Sequence, residues 1–327
     1  MTTTTATLAS SNQLKVNYMS DWKEQALLLA KDGKLSWRKM AKQLGVPKST
    51  VSDFLRKSGT QVCGGHGVAI NNSFVKDGLS ICVIADTQCK PDIDLSYMYH
   101  IGKYIAEKKP DVIVHIGDHF DLPSLSSYDK GTKGFEGRRV KADLEAGHEG
   151  MRLLVDCWKG IDGYNPRMVF CVGNHDERLD RLVKYQPELE GIFGVKELNL
   201  EQYGWGVVDY LKPIEVEGIF FCHYLANPLS GKPYAGSAMN ILKTVGRSYV
   251  VGHRQVLDVA IRPTVDGKQQ IGIVNGAAYN HFEDYKGHVG NNHFRGLTML
   301  HEVSDGFGLP MFISMAYLGK KYGELNG

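Results

Sequence analysis

The chain has 327 residues, 43% apolar and 23% charged, with a formal net charge of +2. That length fits one large domain plus a small one, and the composition is that of an ordinary globular protein. No apolar run approaches the roughly 18 residues that cross a bilayer, so no membrane partner is expected.

Met1 to Gln13 is rich in Thr, Ala and Ser. It lacks the basic start and apolar core of a signal peptide, and residues 1–18 read as a flexible tail. Of the six cysteines (Cys63, Cys82, Cys89, Cys157, Cys171 and Cys222), none forms a CxxC pair. Cys82, Cys171 and Cys222 each sit in an apolar, strand-like run, which predicts reduced core thiols and a cytoplasmic protein.

Residues 19–58 predict a small all-α domain. Asp21 to Lys31 reads as a helix that Asp21 can cap, with Glu24 three residues on and Trp22, Ala26 and Leu29 on one face. Ser36 to Leu44 reads as a second helix, Gly45-Val46-Pro47 as a tight turn, and Lys48 to Lys57 as a third helix. Ala41 permits close packing, Gly45 makes the turn and Val51 anchors the last helix. The stretch Met40 to Leu55 resembles the helix-turn-helix of bacterial repressors and resolvase-type recombinases. That resemblance implies a DNA partner bound through residues 21–58. Lys48, Ser49, Thr50 and Ser52 would open the recognition helix, with Arg56 further along it. Residues 31–58 carry eight Lys or Arg against Asp32 and Asp53, so the basic charge belongs to this module. A three-helix bundle that binds protein or merely packs is the alternative.

Residues 59–76 read as a linker, with Gly64-Gly65 and Asn71-Asn72-Ser73. From 77 to 327 the pattern becomes α/β. Apolar runs at Leu79–Ala85, Val112–Ile116 and Met168–Val172 alternate with helical stretches at Leu95–Lys108 and Val140–Trp158. Strands then dominate: Ile219–Cys222, Tyr249–Val251, Ile271–Val274, Leu297–Val303 and Met311–Leu318. Two mixed β-sheets, sandwiched and flanked by helices, accommodate both halves.

Five short polar motifs each follow an apolar run: Asp86-Thr87-Gln88, Gly117-Asp118-His119-Phe120-Asp121, Gly173-Asn174-His175-Asp176, His223, and Gly252-His253-Arg254-Gln255. Strand ends at one sheet edge fix backbones while the following loops let side chains converge. Asp, Asn, Gln and His supply ligands for divalent metals. A pair of such ions can clamp a phosphate and activate water. In three of the motifs a glycine (Gly117, Gly173 and Gly252) comes first and is expected to let the backbone turn sharply into the site.

This series resembles the calcineurin-like metallophosphoesterases, over about residues 77 to 318. The resemblance implies two divalent ions. Asp118 would bridge them. Asp86 would ligate the first, with Gln88 and Gln255 standing where the family usually has His. Asn174, His223 and His253 would ligate the second. His175 would assist the leaving oxygen and Asp121 would orient it. Arg254 and His119 are candidate substrate contacts. His115 reads as core. The loop from Tyr279 to Arg295, with His281, His288, His293 and Arg295, reads as a polar loop near the mouth or a metal-binding tract.

Amide oxygens in place of imidazoles favour Mn²⁺, then Mg²⁺, over Zn²⁺ or Fe. The two parts together predict a metal-dependent phosphodiester hydrolase, a DNA-directed nuclease. The alternatives are a phosphomonoesterase or cyclic-nucleotide phosphodiesterase, and a DNA-binding regulator with a degenerate phosphoesterase domain.

Overall fold

The computed structural model describes residues 22–30, 37–57, 78–283 and 286–323. The expected tail and linker, the Asp21 cap and Cys63 lie outside the described residues. The chain divides into two compact units, Met1–Asn72 and Ser73–Gly327.

The first unit contains α1 (residues 22–30), α2 (Trp37–Leu44) and α3 (Lys48–Lys57). Trp22, Ala26 and Ala30 of α1 share a core with Met40, Ala41, Leu44, Val51 and Leu55. The buried stripe of α1 thus advances by four residues each time, and Leu29, expected on it, is only half-buried. Gly45 ends α2 with φ at +65°, a left-handed turn that glycine adopts without steric cost. The Val46 amide then donates to Ala41 O at 3.2 Å. Lys48, Ser49 and Thr50 are exposed on the first turn of α3. Ser52 is half-buried, and its hydroxyl donates to Ser49 O at 2.9 Å. The side chain of Arg56 lies outside the described residues.

The second unit is built on two sheets. The first runs β11-β10-β1-β2-β3-β4 and the second β5-β6-β7-β9-β8. In the first sheet β1 (Leu79–Ile84), β2 (Val112–His115), β3 (Arg167–Cys171) and β4 (Gly206–Val208) are parallel neighbours. On the other side of β1, β10 (Gly296–Ser304) and β11 (Phe307–Ser314) pair antiparallel. In the second sheet β6 (Ile219–Cys222), β7 (Ser248–Val251) and β9 (Gln269–Val274) are parallel. Antiparallel β5 (Ile214–Val216) and β8 (Asp258–Pro263) form its edges.

Both faces of β1 are buried, so it reads as a continuous apolar run. Ile81 and Val83 pack with Val114, Phe221, Val250 and Ile273 between the sheets. Cys82 and Ile84 face the opposite layer, with Met98 and Ile101 of α4 (Ser96–Lys108), Met151 and Leu154 of α5 (Val140–Val155), and Leu318. The outer face of the second sheet is covered by α7 (Ala238–Val245), whose Ile241 and Leu242 meet Tyr249 and Val251. Each such aliphatic side chain contributes about 1.5–3 kcal/mol when fully buried. The architecture is the expected one: two mixed sheets flanked by helices.

The expected strand Met311–Leu318 is a strand followed by a helix. After β11 the chain turns into α9 (Met315–Tyr322), capped by Ser314, whose hydroxyl accepts from the Tyr317 amide at 3.2 Å. Apolar content alone cannot tell the two apart; the serine cap was the available signal. The short strands β4, β5 and β8 and the helices α6 (Arg178–Tyr185) and α7 fall outside the predicted elements. No helix among the described residues is long and apolar enough to cross a membrane.

Candidate metal centre

Because β1, β2 and β3 run parallel side by side, the loops after them open at one edge. The loops after β6 and β7 do the same in the second sheet. Backbone hydrogen bonds tie these loops together: the Asp86 amide donates to Gly117 O, the Gln88 amide to Asp118 O, and the Gly252 amide to His223 O. Asp86, Gln88, Asp118, His253 and Gln255 all take left-handed backbone conformations, with φ between 45° and 65°. Each costs about 1–2 kcal/mol in a non-glycine residue. Strain of this kind persists only where surrounding contacts over-determine it.

The motif glycines act mainly by making room. A Cβ on Gly252 would stand 2.5 Å from Asp86 Oδ2, and one on Gly173 would collide with the amide and carboxylate of Asp118. Only Gly117, with φ at +91°, also makes the sharp turn expected of all three.

Four donor atoms converge at the sheet junction. His223 Nε2 lies 2.8 Å from Asn174 Oδ1, 3.2 Å from His253 Nδ1 and 3.3 Å from Asp118 Oδ2. His253 Nδ1 is 2.7 Å from Asn174 Oδ1. His223 donates its Nδ1 proton to Ile116 O at 2.9 Å, which leaves Nε2 to offer a lone pair. Electron pairs facing one another in a buried site are relieved by a cation between them, a proton or a metal ion. A divalent ion with ligands about 2.1 Å away places neighbouring donors about 3.0 Å apart in an octahedron and about 3.4 Å in a tetrahedron. The observed separations therefore fit an ion. Among the described residues, Asp118, His223 and His253 are the one group of His, Cys, Asp or Glu whose donor atoms lie within 4.8 Å of one another. Burial opposes charge on His223, but Asp118 and Asp86 overcome it and raise the ring to about 9. The same carboxylates that attract an ion thus also attract a proton to Nε2, and the two compete for that lone pair.

Beside this cluster stands His175. Its Nδ1 lies 2.6 Å from Asp121 Oδ1, and its backbone amide holds Asp118 Oδ1 at 2.8 Å. The Asp121 contact fixes the proton on Nδ1 and turns Nε2 toward Asp118 Oδ2, 3.8 Å away. Burial lowers the His175 pKa, and Asp118 with Asp121 more than reverses it.

The model of the calcineurin-like phosphoesterase family matches residues 79–263, which contain all five motifs. The chain belongs to the calcineurin-like phosphoesterases. It is similar to the Gene 54 proteins of Mycobacterium phages L5 and D29, at 31% and 33% identity over 178 residues. That stretch covers 53% of this chain and 68% of each relative. Among solved structures, an E. coli phosphoesterase aligns over 72% of this chain and 100% of its own, at 11% identity and a TM-score of 0.33. A predicted phosphoesterase from Streptococcus pneumoniae TIGR4 aligns over 72% and 98%, at 11% identity and 0.29.

In this phosphoesterase the first-ion side differs from the second. Asp86 is fully buried, and burial with the nearby Asp118 charge raises its carboxyl to about 7. Its Oδ2 accepts the His253 amide at 3.0 Å. Gln88 is buried, and neither of its amide atoms has a hydrogen-bond partner among the described residues. Gln255, expected as a ligand, spends its oxygen elsewhere: Oε1 accepts from Tyr279 at 2.9 Å and from Lys286. The residues therefore fit an ion on the Asn174 side and do not form a comparable shell on the Gln255 side.

Both ring nitrogens of His119, expected as a substrate contact, are engaged inside the protein. The residue is fully buried, with Nδ1 2.8 Å from Thr87 Oγ1 and Nε2 2.9 Å from Gly147 O. His115 lies 3.1 Å from the same threonine by Nε2, and its Nδ1 accepts the Gly117 amide at 3.2 Å. The backbone groups at the two ends fix both tautomers. His115 donates to Thr87 and Thr87 donates to His119, so both rings are neutral struts beneath the site. Burial pushes His119 down to about 4. Arg254 is exposed and donates to Gly236 O at 2.5 Å.

Four supporting groups escaped the sequence reading. Asp176, fully buried, accepts the amides of Asp118, Phe120 and Gly173 at 2.8–2.9 Å and so clamps two motifs together. Arg178 donates to Asp121 O at 2.6 Å and lies 3.3 Å from His175 Nε2. Lys90 bonds Glu283 at 2.7 Å and lies 3.7 Å from Asp121. Glu283 also holds His281 at 2.6 Å, so the loop from Tyr279 buttresses the His175 dyad, and among the described residues its histidines gather no metal set. Only Asp176 had a sequence signal, its place at the end of the Gly173 motif.

Proposed function

We propose that this chain is a metal-dependent phosphodiester hydrolase directed at DNA, a nuclease. The observation that carries the reading is His175, held by Asp121 with Nε2 turned to the Asp118 cluster. A sugar alkoxide is a poor leaving group and needs a proton as it departs. His175 Nε2 delivers it, and Asp121 keeps the opposite nitrogen protonated throughout. Asp118, Asn174, His223 and His253 would hold a divalent ion, Mn²⁺ by preference. When bound, that ion supplies Lewis acidity at the phosphate and lowers the pKa of attacking water. Water adds to phosphorus as the P–O bond to the sugar breaks, yielding a phosphate monoester and an alcohol. Asp118 is kept in place through its own amide by Asp176 and through its carboxylate by the His175 amide.

DNA enters as substrate through the basic charge of residues 31–58 and the exposed Lys48, Ser49 and Thr50. The test is incubation with Mn²⁺ and, in turn, linear DNA, single-stranded DNA, bis-p-nitrophenyl phosphate and p-nitrophenyl phosphate, with His175→Ala as control. Cleavage of the diester and of DNA supports the reading. Monoester turnover alone points to a phosphomonoesterase, and silence with DNA binding to a regulator. Lys48→Ala should weaken DNA binding a few-fold and reduce the salt slope by about one. An unchanged salt-dependent affinity removes the N-terminal helices from DNA recognition.

A further inference from the structure

The half of the site around Asp86 contains an internal cation. Lys286 Nζ hydrogen-bonds Gln255 Oε1 and lies 3.0 Å from the Tyr279 hydroxyl. Tyr279 donates to the same Gln255 oxygen at 2.9 Å. An ammonium is a donor only, so the Gln255 atom it meets must be the amide oxygen. The amide nitrogen is then the atom 3.4 Å from Asp86 Oδ1. Gln255 therefore offers Asp86 an N–H group. An imidazole at this position can offer a lone pair to an ion; an amide NH₂ cannot.

The charge balance points the same way. Asp86 and Asp118 are both buried, at 0% and 2% exposure. Two buried carboxylates require compensating positive charge close by. A divalent ion on Asp118, Asn174, His223 and His253 brings two positive charges, which already match these two carboxylates. Lys286 is half-buried; burial lowers its pKa against the attraction of Asp86, Glu283 and Asp121. Its ammonium adds a further positive charge, so a second divalent ion would leave the site with excess positive charge. A divalent ion bound at Gln255 would meet that ammonium at contact distance, and like charges there exclude each other.

We propose that the Lys286 ammonium takes the place of one metal ion, so that the folded enzyme holds a single divalent ion on Asp118, Asn174, His223 and His253. Gln255 is the adaptor that lets a carboxylate and a lysine share the position. The proposal rests on the metal-dependent reading of the site and is independent of the substrate.

The test is Mn²⁺ titration of chelator-stripped full-length protein, by calorimetry and by electron paramagnetic resonance, without substrate. Wild type should bind one equivalent with the signal of an isolated ion. Gln255→His alone, which keeps the lysine, should stay at one. Gln255→His combined with Lys286→Ala should take a second equivalent and give the signal of a spin-coupled pair. Retention of the first equivalent in each variant reports a folded site. Lys286→Met in the same background repeats the test with a side chain of similar bulk. Two equivalents in wild type or in Gln255→His overturn the proposal. So does a single equivalent in both double variants. A wild type that binds no Mn²⁺ overturns the proposal and the metal-dependent reading together. Failure to cleave DNA with one bound ion overturns only the nuclease reading.

Discussion

The two sides of the site solve the same electrostatic problem with different means. On one side Asp118, Asn174, His223 and His253 bring four donor atoms together, with His223 Nε2 lying 2.8–3.3 Å from the other three and locked by Ile116 O through the opposite nitrogen. On the other, Asp86 faces an amide nitrogen, Gln88 has no partner among the described residues, and Gln255 carries a lysine and a tyrosine on its oxygen. The first arrangement is a set of donors that could hold a cation. The second already contains its cation. Residue types that each qualify as metal donors can therefore build either a metal site or a substitute for one, depending on which atom each amide presents.

The contrast can be broken most decisively at His223. His223→Ala should abolish Mn²⁺ uptake and phosphodiester cleavage, because it removes a lone pair from the centre of the shell. Calorimetry that still finds tight Mn²⁺ binding would place the ion elsewhere. His175→Ala comes next. It should lower kcat by about 10²–10⁴ while leaving Mn²⁺ affinity in place. A parallel loss of affinity would make His175 a ligand instead of a proton donor. Asp176→Ala should destabilise the fold by about 3–5 kcal/mol, since it strands three buried amides at once. Urea denaturation measures this, and a loss under 1 kcal/mol would mean that water replaces the carboxylate. The smallest effect is expected on the other side. Gln88→Leu removes a buried amide that has no partner, so stability should be unchanged or improved by about 1 kcal/mol. Mn²⁺ uptake should also be unchanged. Thermal melts with and without Mn²⁺ check both, and a weaker Mn²⁺-dependent stabilisation would assign Gln88 to an ion shell.

Legibility in the sequence followed locality. The strands bearing the motifs were readable because each is a short apolar run buried on both faces, and Ile219–Cys222 was expected with the observed bounds. Short edge strands such as Gly206–Val208 carry too few residues for a pattern. The Met311–Leu318 run was ambiguous between strand and helix until the Ser314 cap decided it. Among site residues, the partnership of His175 with Asp121 and the grouping of Asp118, Asn174, His223 and His253 were legible from motif order. His119 was misplaced because a histidine inside a motif looks the same whether it faces the site or, as here, Thr87 and Gly147.

By itself, then, the sequence determined the order of the motifs, the strand that leads into each, and hence the fold class and the type of chemistry. These depend on periodicity and on residues adjacent in the chain. Tertiary structure alone decided that Asp176 clamps residues 56 and 58 positions away, that Lys90 and Glu283 meet across 193 positions, and that Lys286 turns the oxygen of Gln255 away from Asp86. The physical reason is that an amide has two faces, and a partner distant in the chain chooses between them.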